Sequence, residues 1–203
     1  HALFSDGKYS RTCGNVPRDY VELPSQVMEN WAGDLEVLRM YAKHWQTGEI
    51  IPETIINKLE NSGLFNQGFV TTEFLAAAIL DMEYHKLKEI GDDFNAAEFE
   101  KAKMKEIGLI DEIYPRYRST YYAHIFSGGY SAGYYVYYWA AVLDSDAFNY
   151  FKESGDLFNP ELAAKFRQHC LQECGNDEGM VQYKKFRGQE PSNEPFLKKH
   201  GLN

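Results

Sequence analysis

The sequence has no long hydrophobic run, no basic tract and few cysteines, and each shortage narrows the possible functions. No apolar stretch among its 203 residues approaches the roughly 18 residues that suggest a membrane span, so we expect no membrane insertion. The net charge of −9 argues against nucleic acids and anionic membrane surfaces as partners. Three cysteines without zinc-type pairing fit a reducing compartment, and we expect a cytoplasmic protein.

Strand-like alternation, internal repeats, low-complexity tracts and flexible linkers are also scarce or missing. Apolar residues instead recur at helical spacing in five segments, residues 26–45, 52–63, 67–90, 95–107 and 159–174. Asn159 is expected to cap the last of these helices. The sequence therefore predicts a mainly α fold in which residues 1–203 form a single domain. Because the chain opens without Met or a signal peptide, we expect its true start to lie upstream.

The first candidate functional residues lie near the start of the first predicted helix. Glu22, Gln26 and Glu29 are spaced i, i+4 and i+7, which places them on one helix face. Two carboxylates and an amide among apolar neighbours suit a metal ion or a cationic group lying opposite. Spacing alone favours a simpler alternative, an exposed acidic stripe near a helix start. Pro24 is expected to bend any helix that runs through it.

The second candidate segment is dense in tyrosine. Gly128 and Gly129 allow backbone angles closed to other residues and let another chain approach closely. Tyr130, Tyr134 and Tyr137 follow at i, i+4 and i+7, which predicts one hydroxyl-bearing helix face. Phenols donate directed hydrogen bonds and can stabilise a developing oxyanion. From spacing alone, an aromatic helix packed in a core is the favoured alternative.

Other histidines and cysteines add no further site to the prediction. His44, His85 and His169 lack partners at ligand spacing, so we expect surface or hydrogen-bonded histidines. Cys170 and Cys174 share a helix face and are expected to pack as small hydrophobic residues, since no third metal ligand is nearby.

Both candidate segments resemble one known family, the thimet-oligopeptidase-like zinc metallopeptidases, which include peptidyl-dipeptidases and oligopeptidases. The run Gly-Asn-Val-Pro-Arg-Asp-Tyr-Val-Glu-Leu-Pro-Ser-Gln, residues 14–26, is similar to the segment that comes after the family's zinc motif, His-Glu-Phe-Gly-His-Ala-Leu-His. His1-Ala2-Leu3-Phe4 looks like the last histidine of that motif and the Leu-Phe pair after it. Residues 124–137 are similar to the family's His-Ile-Phe-x-Gly-Gly-Tyr-x-Ala-Gly-Tyr-Tyr-x-Tyr motif, and residues 186–192 resemble its C-terminal segment.

The resemblance implies roles for the residues of the first segment. Glu22 matches the third zinc ligand, an oxygen donor that completes a His₂Glu site. Glu29 is similar to a carboxylate that orients a ligating histidine, and Gln26 lies with it around the ligand. An alternative alignment makes His1 the second histidine of the motif and a zinc ligand, but its spacing to Leu3 favours the later histidine.

The resemblance also implies roles for the second segment. Three residues match those that contact substrate or stabilise the tetrahedral intermediate: His124, Tyr130 and Tyr137. Tyr134 is a weaker candidate for the same role, which would place it in substrate binding. Gly128 and Gly129 match a loop that closes on the backbone of the peptide substrate.

We therefore expect the C-terminal part of a zincin-like catalytic domain that starts just after the His-Glu-x-x-His helix. The implied enzyme hydrolyses short peptides with a zinc cofactor, as a peptidyl-dipeptidase more than a general oligopeptidase. Its partner is the N-terminal remainder of the same polypeptide, so the isolated chain is expected to be inactive and to bind zinc weakly or not at all. The alternative is a non-enzymatic helical module whose tyrosine face docks a peptide or protein.

Overall fold

A computed structural model describes residues 1, 3–173 and 175–202. Over these ranges the chain is helical and has no strand beyond one isolated antiparallel bridge between Lys43 and Ile50. The α-helices are α1 (Leu23–Gly33), α2 (Leu35–Tyr41), α3 (Glu53–Leu64), α4 (Gln67–His85), α5 (Ala96–Glu106), α6 (Ala123–Phe126), α7 (Val136–Glu153), α8 (Pro160–Phe166), α9 (Gly179–Arg187) and α10 (Glu194–Lys199). A 3₁₀-helix spans Ser119–Tyr121, and a π-helix spans Arg167–Gln172. The prediction of a mainly α fold is confirmed. Among the described helices, none combines the length and hydropathy of a membrane span.

Several helix ends depend directly on polar capping residues. The side chain of Asn159 accepts the backbone N–H groups of Glu161 at 3.0 Å and Leu162 at 3.1 Å, which confirms it as the cap of α8. The predicted helix over residues 26–45 is wrong in its length, because Asp34 adopts extended backbone and caps a new helix, α2. The predicted helix over 159–174 changes into the π-helix after Phe166.

Of the two cysteines expected to pack together, the structure describes Cys170, which lies in the π-helix. Cys170 is fully buried, and burial raises the pKa of its thiol to about 12, so it behaves as a small hydrophobic residue. Cys174 lies outside the described residues, and its expected packing beside Cys170 stays a prediction.

The chain divides into two compact units, and the first comprises His1–Phe65 and Tyr137–Asn203. Its core contains Tyr20, Leu23, Val27, Leu143, Ala147, Phe148, Phe151, Leu157, Leu162, Phe166, Cys170, Leu171, Tyr183 and Phe186. Trp31 of α1 packs edge-on against Phe148 and Phe151, with ring centroids 4.7 and 4.9 Å apart. Burial of these side chains fixes α1, which carries Glu22 at its start, against α7.

The second unit comprises Asn66–Val136 and is built on α4. The buried ring of Tyr84 on α4 packs against Phe99 at 4.9 Å and Phe126 at 5.5 Å. The Tyr122 hydroxyl donates to the backbone oxygen of Ala77 at 3.1 Å, which holds the residue before α6 against α4. These contacts position α6 and the glycine-rich loop after it. That the two units form one domain, as the sequence predicts, stays a prediction.

Candidate active-site residues

Glu22 lies at the N-cap position of α1 and is half-buried. Its backbone oxygen accepts the N–H of Gln26 at 3.1 Å, and the Ser25 hydroxyl lies 3.3 Å from its carboxylate Oε2. Pro24 falls in the first turn of the helix, where a backbone N–H has no intrahelical partner to lose. The bend expected of a helix that runs through Pro24 stays a prediction, because α1 starts just before this residue.

Gln26 links α1 to the first turn of α7. Its side-chain Nε2 donates to the backbone oxygen of Tyr137 at 3.1 Å, and both residues belong to the first unit. Tyr137 is half-buried, one residue after the start of α7. The structure thus joins a residue of the predicted metal-binding group directly to a predicted catalytic tyrosine.

Glu29 lies two turns after Glu22 on α1 and is exposed. It contributes to a groove of about 840 Å³ within the first unit, which Arg39, Lys152 and Lys199 also line. The lining of this groove includes both cationic and acidic side chains, since Glu36 and Glu60 also contribute to it. The role of Glu29 beside a ligating histidine stays a prediction.

In the second unit, a tight loop that carries Tyr130 begins directly after α6. The N–H of Gly128 donates to Ala123 O at 2.6 Å, and that of Tyr130 donates to His124 O at 2.9 Å. A Cβ on Gly128 would lie 3.0 Å from the backbone Cα and O of His124, too close for a larger residue. Gly129 has φ +78°, a left-handed angle that favours glycine. The Gly-Gly pair is therefore required for this loop to fold back on α6.

The predicted helix face of three tyrosines does not form. Residues 131–135 are turns, and α7 starts only at Val136. Ala132 has φ +51°, which is incompatible with a right-handed helix at that point. Tyr130 and Tyr134 therefore belong to the loop, whereas Tyr137 is helical.

An aromatic cluster surrounds His124 in the second unit. Its ring centroid lies 6.0 Å from that of Tyr130, 5.4 Å from that of Tyr134 and 4.8 Å from that of Tyr117. Tyr117 also stacks on Tyr122 with centroids 5.3 Å apart. The structure thus brings together three residues that the sequence selects, His124, Tyr130 and Tyr134, and adds Tyr117, which sequence reasoning missed.

Tyr134 is the most enclosed of the predicted substrate-binding residues. Its side chain stacks on Phe74 with centroids 4.8 Å apart, and only 3% of the residue is exposed. Burial raises its pKa to about 12, which keeps the phenol neutral. A contact with substrate through Tyr134 stays a prediction, whereas its packing under His124 is observed.

Sequence reasoning also missed Asp81 on α4. Its side chain is fully buried, and its carboxylate accepts the backbone N–H groups of Ala132 and Tyr134, both at 2.9 Å. The sequence carries a signal for it, since an aspartate directly follows the apolar run of residues 74–80. A charge in such a position is buried only when it has partners.

The donor atoms of the candidate residues show how many ligands of a zinc site this chain can supply. Within the described residues, no group of three or more His, Cys, Asp or Glu side chains is arranged to hold an ion. Glu22 offers one oxygen donor of the kind found in His₂Glu zinc sites. It fits a single ligand position, and a zinc site that uses it needs ligands from outside the described residues.

Comparisons with known proteins place these residues in a peptidase context. The model of peptidase family M3 matches residues 1–202. The chain is 42% identical to dipeptidyl carboxypeptidase of Escherichia coli K12 over its whole length, 37% identical to probable cytosolic oligopeptidase A of Arabidopsis thaliana over 93% of the chain, and 36% identical to oligopeptidase A of E. coli K12 over 92%. It spans 30% of the length of the first relative and 27% of the other two. The match therefore covers nearly all of this chain but less than a third of each relative.

Proposed function

This chain belongs to peptidase family M3, and from that premise we propose that it is the C-terminal part of a zinc metallopeptidase that hydrolyses short peptides. The match over residues 1–202 carries the proposal, because that single stretch contains both Glu22 and the segment 124–137. The 30% share of the dipeptidyl carboxypeptidase relative supports a longer polypeptide that supplies the remaining ligands. Peptidyl-dipeptidase activity is the first choice, since that relative is more similar to this chain than either oligopeptidase A is.

Each candidate residue has a role in this proposal that suits its chemistry. Bound zinc would polarise the scissile carbonyl and lower the pKa of a water molecule. Glu22 donates a carboxylate oxygen to the metal, while Gln26 fixes the start of α1 to the backbone at Tyr137. Glu29 would orient a zinc-ligating histidine that lies outside this chain. These three residues therefore bind and position, and none of them transfers a proton.

The second group acts on the substrate. Tyr130 and Tyr137 donate phenol hydrogen bonds to the oxygen that becomes negative when water attacks the carbonyl. His124 assists them from the aromatic cluster, and Tyr134 contributes to substrate binding. Gly128 and Gly129 let the loop approach the backbone of the peptide. Donors held in place before the reaction stabilise the transition state more than the ground state, which raises kcat.

The direct test replaces each phenol in the complete polypeptide and measures hydrolysis of a short peptide. We expect Tyr137→Phe and Tyr130→Phe each to lower kcat by about 10²–10³-fold with little change in stability, because each removes one donor to the oxyanion. Tyr135→Phe is the matched control, since Tyr135 lies in the same segment, is exposed and has no assigned role. It should keep the wild-type kcat.

Two results would contradict the proposal in different ways. Wild-type kcat in both Tyr130→Phe and Tyr137→Phe would remove the oxyanion role while leaving peptidase activity in place. A complete polypeptide that is loaded with zinc and binds peptides without cleaving them would support the helical interaction module instead.

A further inference from the structure

The buried carboxylate of Asp81 accepts hydrogen bonds from the loop that carries Tyr130. Its Oδ1 accepts the N–H of Ala132 and its Oδ2 accepts the N–H of Tyr134, both at 2.9 Å. The ring Nδ1 of His85, one turn later on α4, lies 2.8 Å from Oδ1, 2.8 Å from the backbone oxygen of Asp81 and 3.3 Å from the backbone N of Ala132. All four residues belong to the second unit. Two backbone donors thus occupy the two oxygens of a side chain with 0% exposure, and the histidine ring lies beside them.

The loop adopts a backbone conformation that needs such support. Ala132 has φ +51°, and it is one of two non-glycine residues with positive φ among those described. Non-glycine residues keep this angle only where the surrounding structure fixes it, because their Cβ opposes it. Asp81 bonds the N–H of Ala132 itself and that of Tyr134 two residues later. The carboxylate therefore holds the backbone at the strained residue Ala132 and again two residues after it.

Tyr130 lies between two anchor points of this loop. On one side its own N–H donates to His124 O at 2.9 Å, and the Ser131 hydroxyl donates to Ile125 O at 2.6 Å. On the other side the N–H of Gly133 donates to Tyr130 O at 2.8 Å. Gly133 lies between Ala132 and Tyr134, the two residues whose N–H groups Asp81 accepts. Loss of the Asp81 hydrogen bonds would remove one of these two anchor points.

We propose that Asp81 is a positioning residue that fixes the turn at Ala132 and thereby the direction of the Tyr130 hydroxyl during peptide hydrolysis. This inference rests on the proposed function and adds to it a residue far from Tyr130 in sequence. A carboxylate is required because both facing groups are donors. An asparagine has one acceptor oxygen, and its NH₂ group would face a backbone N–H.

The test is Asp81→Asn in the complete polypeptide, alone and combined with Tyr130→Phe. We expect Asp81→Asn to lower kcat by roughly 10–100-fold, since a misplacement of about 1 Å at a reacting group costs that much. In the Tyr130→Phe background the same change should lower kcat by less than about threefold, because the hydroxyl that it positions is already absent. Equal losses in both backgrounds would overturn the proposal, since general destabilisation acts independently of Tyr130.

A matched control separates positioning from loss of a buried charge. Asp146 is also fully buried and accepts the Tyr183 hydroxyl at 2.6 Å and Arg187 Nε at 3.2 Å, all within the first unit. Asp146→Asn should lower thermal stability without selective coupling to Tyr130→Phe. A coupling to Tyr130 as large as that of Asp81 would overturn the assignment of Asp81.

Amide hydrogen exchange keeps this proposal separable from the proposed function. We expect residues 128–135 to exchange at least about tenfold faster in Asp81→Asn than in the wild type or Asp146→Asn. Unchanged exchange would refute the claim that Asp81 stabilises the loop, even if the enzyme is active. An inactive wild type would refute the proposed function and the catalytic part of this inference, while the exchange result still decides whether Asp81 holds the loop.

A milder variant covers the case in which Asp81→Asn does not fold. His85→Gln removes the imidazole beside Oδ1, and the side chain of His85 is 30% exposed, so the change is easier to accommodate. We expect a smaller loss of kcat in the same direction, again reduced in the Tyr130→Phe background. Additive losses would overturn the proposal here as well.

Discussion

At the scale of single residues, buried carboxylates of the second unit organise segments that lack regular structure. Glu100 on α5 is 3% exposed and accepts the Ser119 N–H at 2.8 Å and the Ser119 hydroxyl at 2.7 Å. Arg118 Nε also donates to it. Burial acts to raise the pKa of Glu100, but the hydrogen bonds from Ser119 and Arg118 outweigh it and hold the pKa below the ordinary 4.5. The ionised form thus fixes the 3₁₀-helix that leads to His124.

This lowered pKa predicts a pH-dependent contribution to stability. Because the carboxylate titrates lower in the folded unit than in the unfolded chain, its contribution is complete above about pH 5 and is lost as the pH falls through the folded pKa. We expect Glu100→Gln to reduce the free energy of local opening at Ser119–Tyr122 by about 1–3 kcal/mol at neutral pH. The difference from wild type, measured by amide exchange, should shrink as the pH falls below the ordinary pKa of 4.5 and through the lowered pKa of the folded unit. Glu98→Gln, an exposed change on the same helix, is the control, and a pH-independent difference for Glu100→Gln would contradict the argument.

At the scale of elements, short helices depend on their caps more than long ones do. Helix α8 has seven residues before it changes into the π-helix, and its first turn is held by two hydrogen bonds to Asn159. Pro160 occupies the first turn, where it needs no hydrogen bond. Leu162 and Phe166 bury this helix in the core of the first unit. Loss of the cap therefore weakens an element that helps to close that core.

Asn159→Ala tests this dependence. We expect it to lower the free energy of unfolding of the first unit by about 1 kcal/mol, since the first-turn N–H groups lose their acceptor. Asn159→Asp should retain most of the stability, because aspartate caps as well as asparagine does. Urea unfolding followed by helical circular dichroism measures both, and equal stability of Asn159→Ala and wild type would show that the packing of Leu162 and Phe166 alone maintains α8.

The same elements show which features the sequence can and cannot predict. The cap at Asn159 and the break after the helix ending at Glu106 depend on residues within a few positions, so local patterns locate them. The helix expected through Tyr130 and Tyr134 does not form because a contact from Asp81, about fifty positions away, stabilises left-handed backbone at Ala132. Local spacing carries no information about such a partner.

The candidate site shows the same division between local and distant information. Resemblance to a family selects His124, Tyr130 and Tyr134, which the structure brings together with Tyr117. The link from Gln26 to the backbone of Tyr137 joins positions 111 residues apart, and no spacing rule could give it. The roles of these residues in catalysis stay predictions, since they depend on substrate and metal.

At the scale of the whole molecule, one face of α4 is both apolar and exposed. Along α4, the exposed apolar side chains of Leu75, Ile79 and Met82 follow one another at i, i+4 and i+7. A helix as apolar as the run over residues 74–80 is usually buried all round, and this face of it is not. Exposed apolar stripes of this kind are typical of surfaces that pack against other protein segments.

Zinc binding provides the test at this scale, because affinity depends on the number of ligands brought together. Glu22 alone cannot replace three ligands, so the isolated 203-residue chain should bind zinc more weakly than micromolar and should not hydrolyse peptides.

In the complete polypeptide, Glu29→Gln should weaken zinc affinity by about 10–100-fold, as expected for a residue that orients a ligand, and Glu22→Gln should weaken it by more. Glu36→Gln is the control, since Glu36 is exposed and lines the same groove as Glu29. Competition with a fluorescent chelator measures zinc affinity in all five proteins: the isolated chain, the complete wild type and its three variants. Submicromolar zinc affinity of the isolated chain, or unchanged affinity in Glu22→Gln, would show that the metal is held by residues other than those proposed.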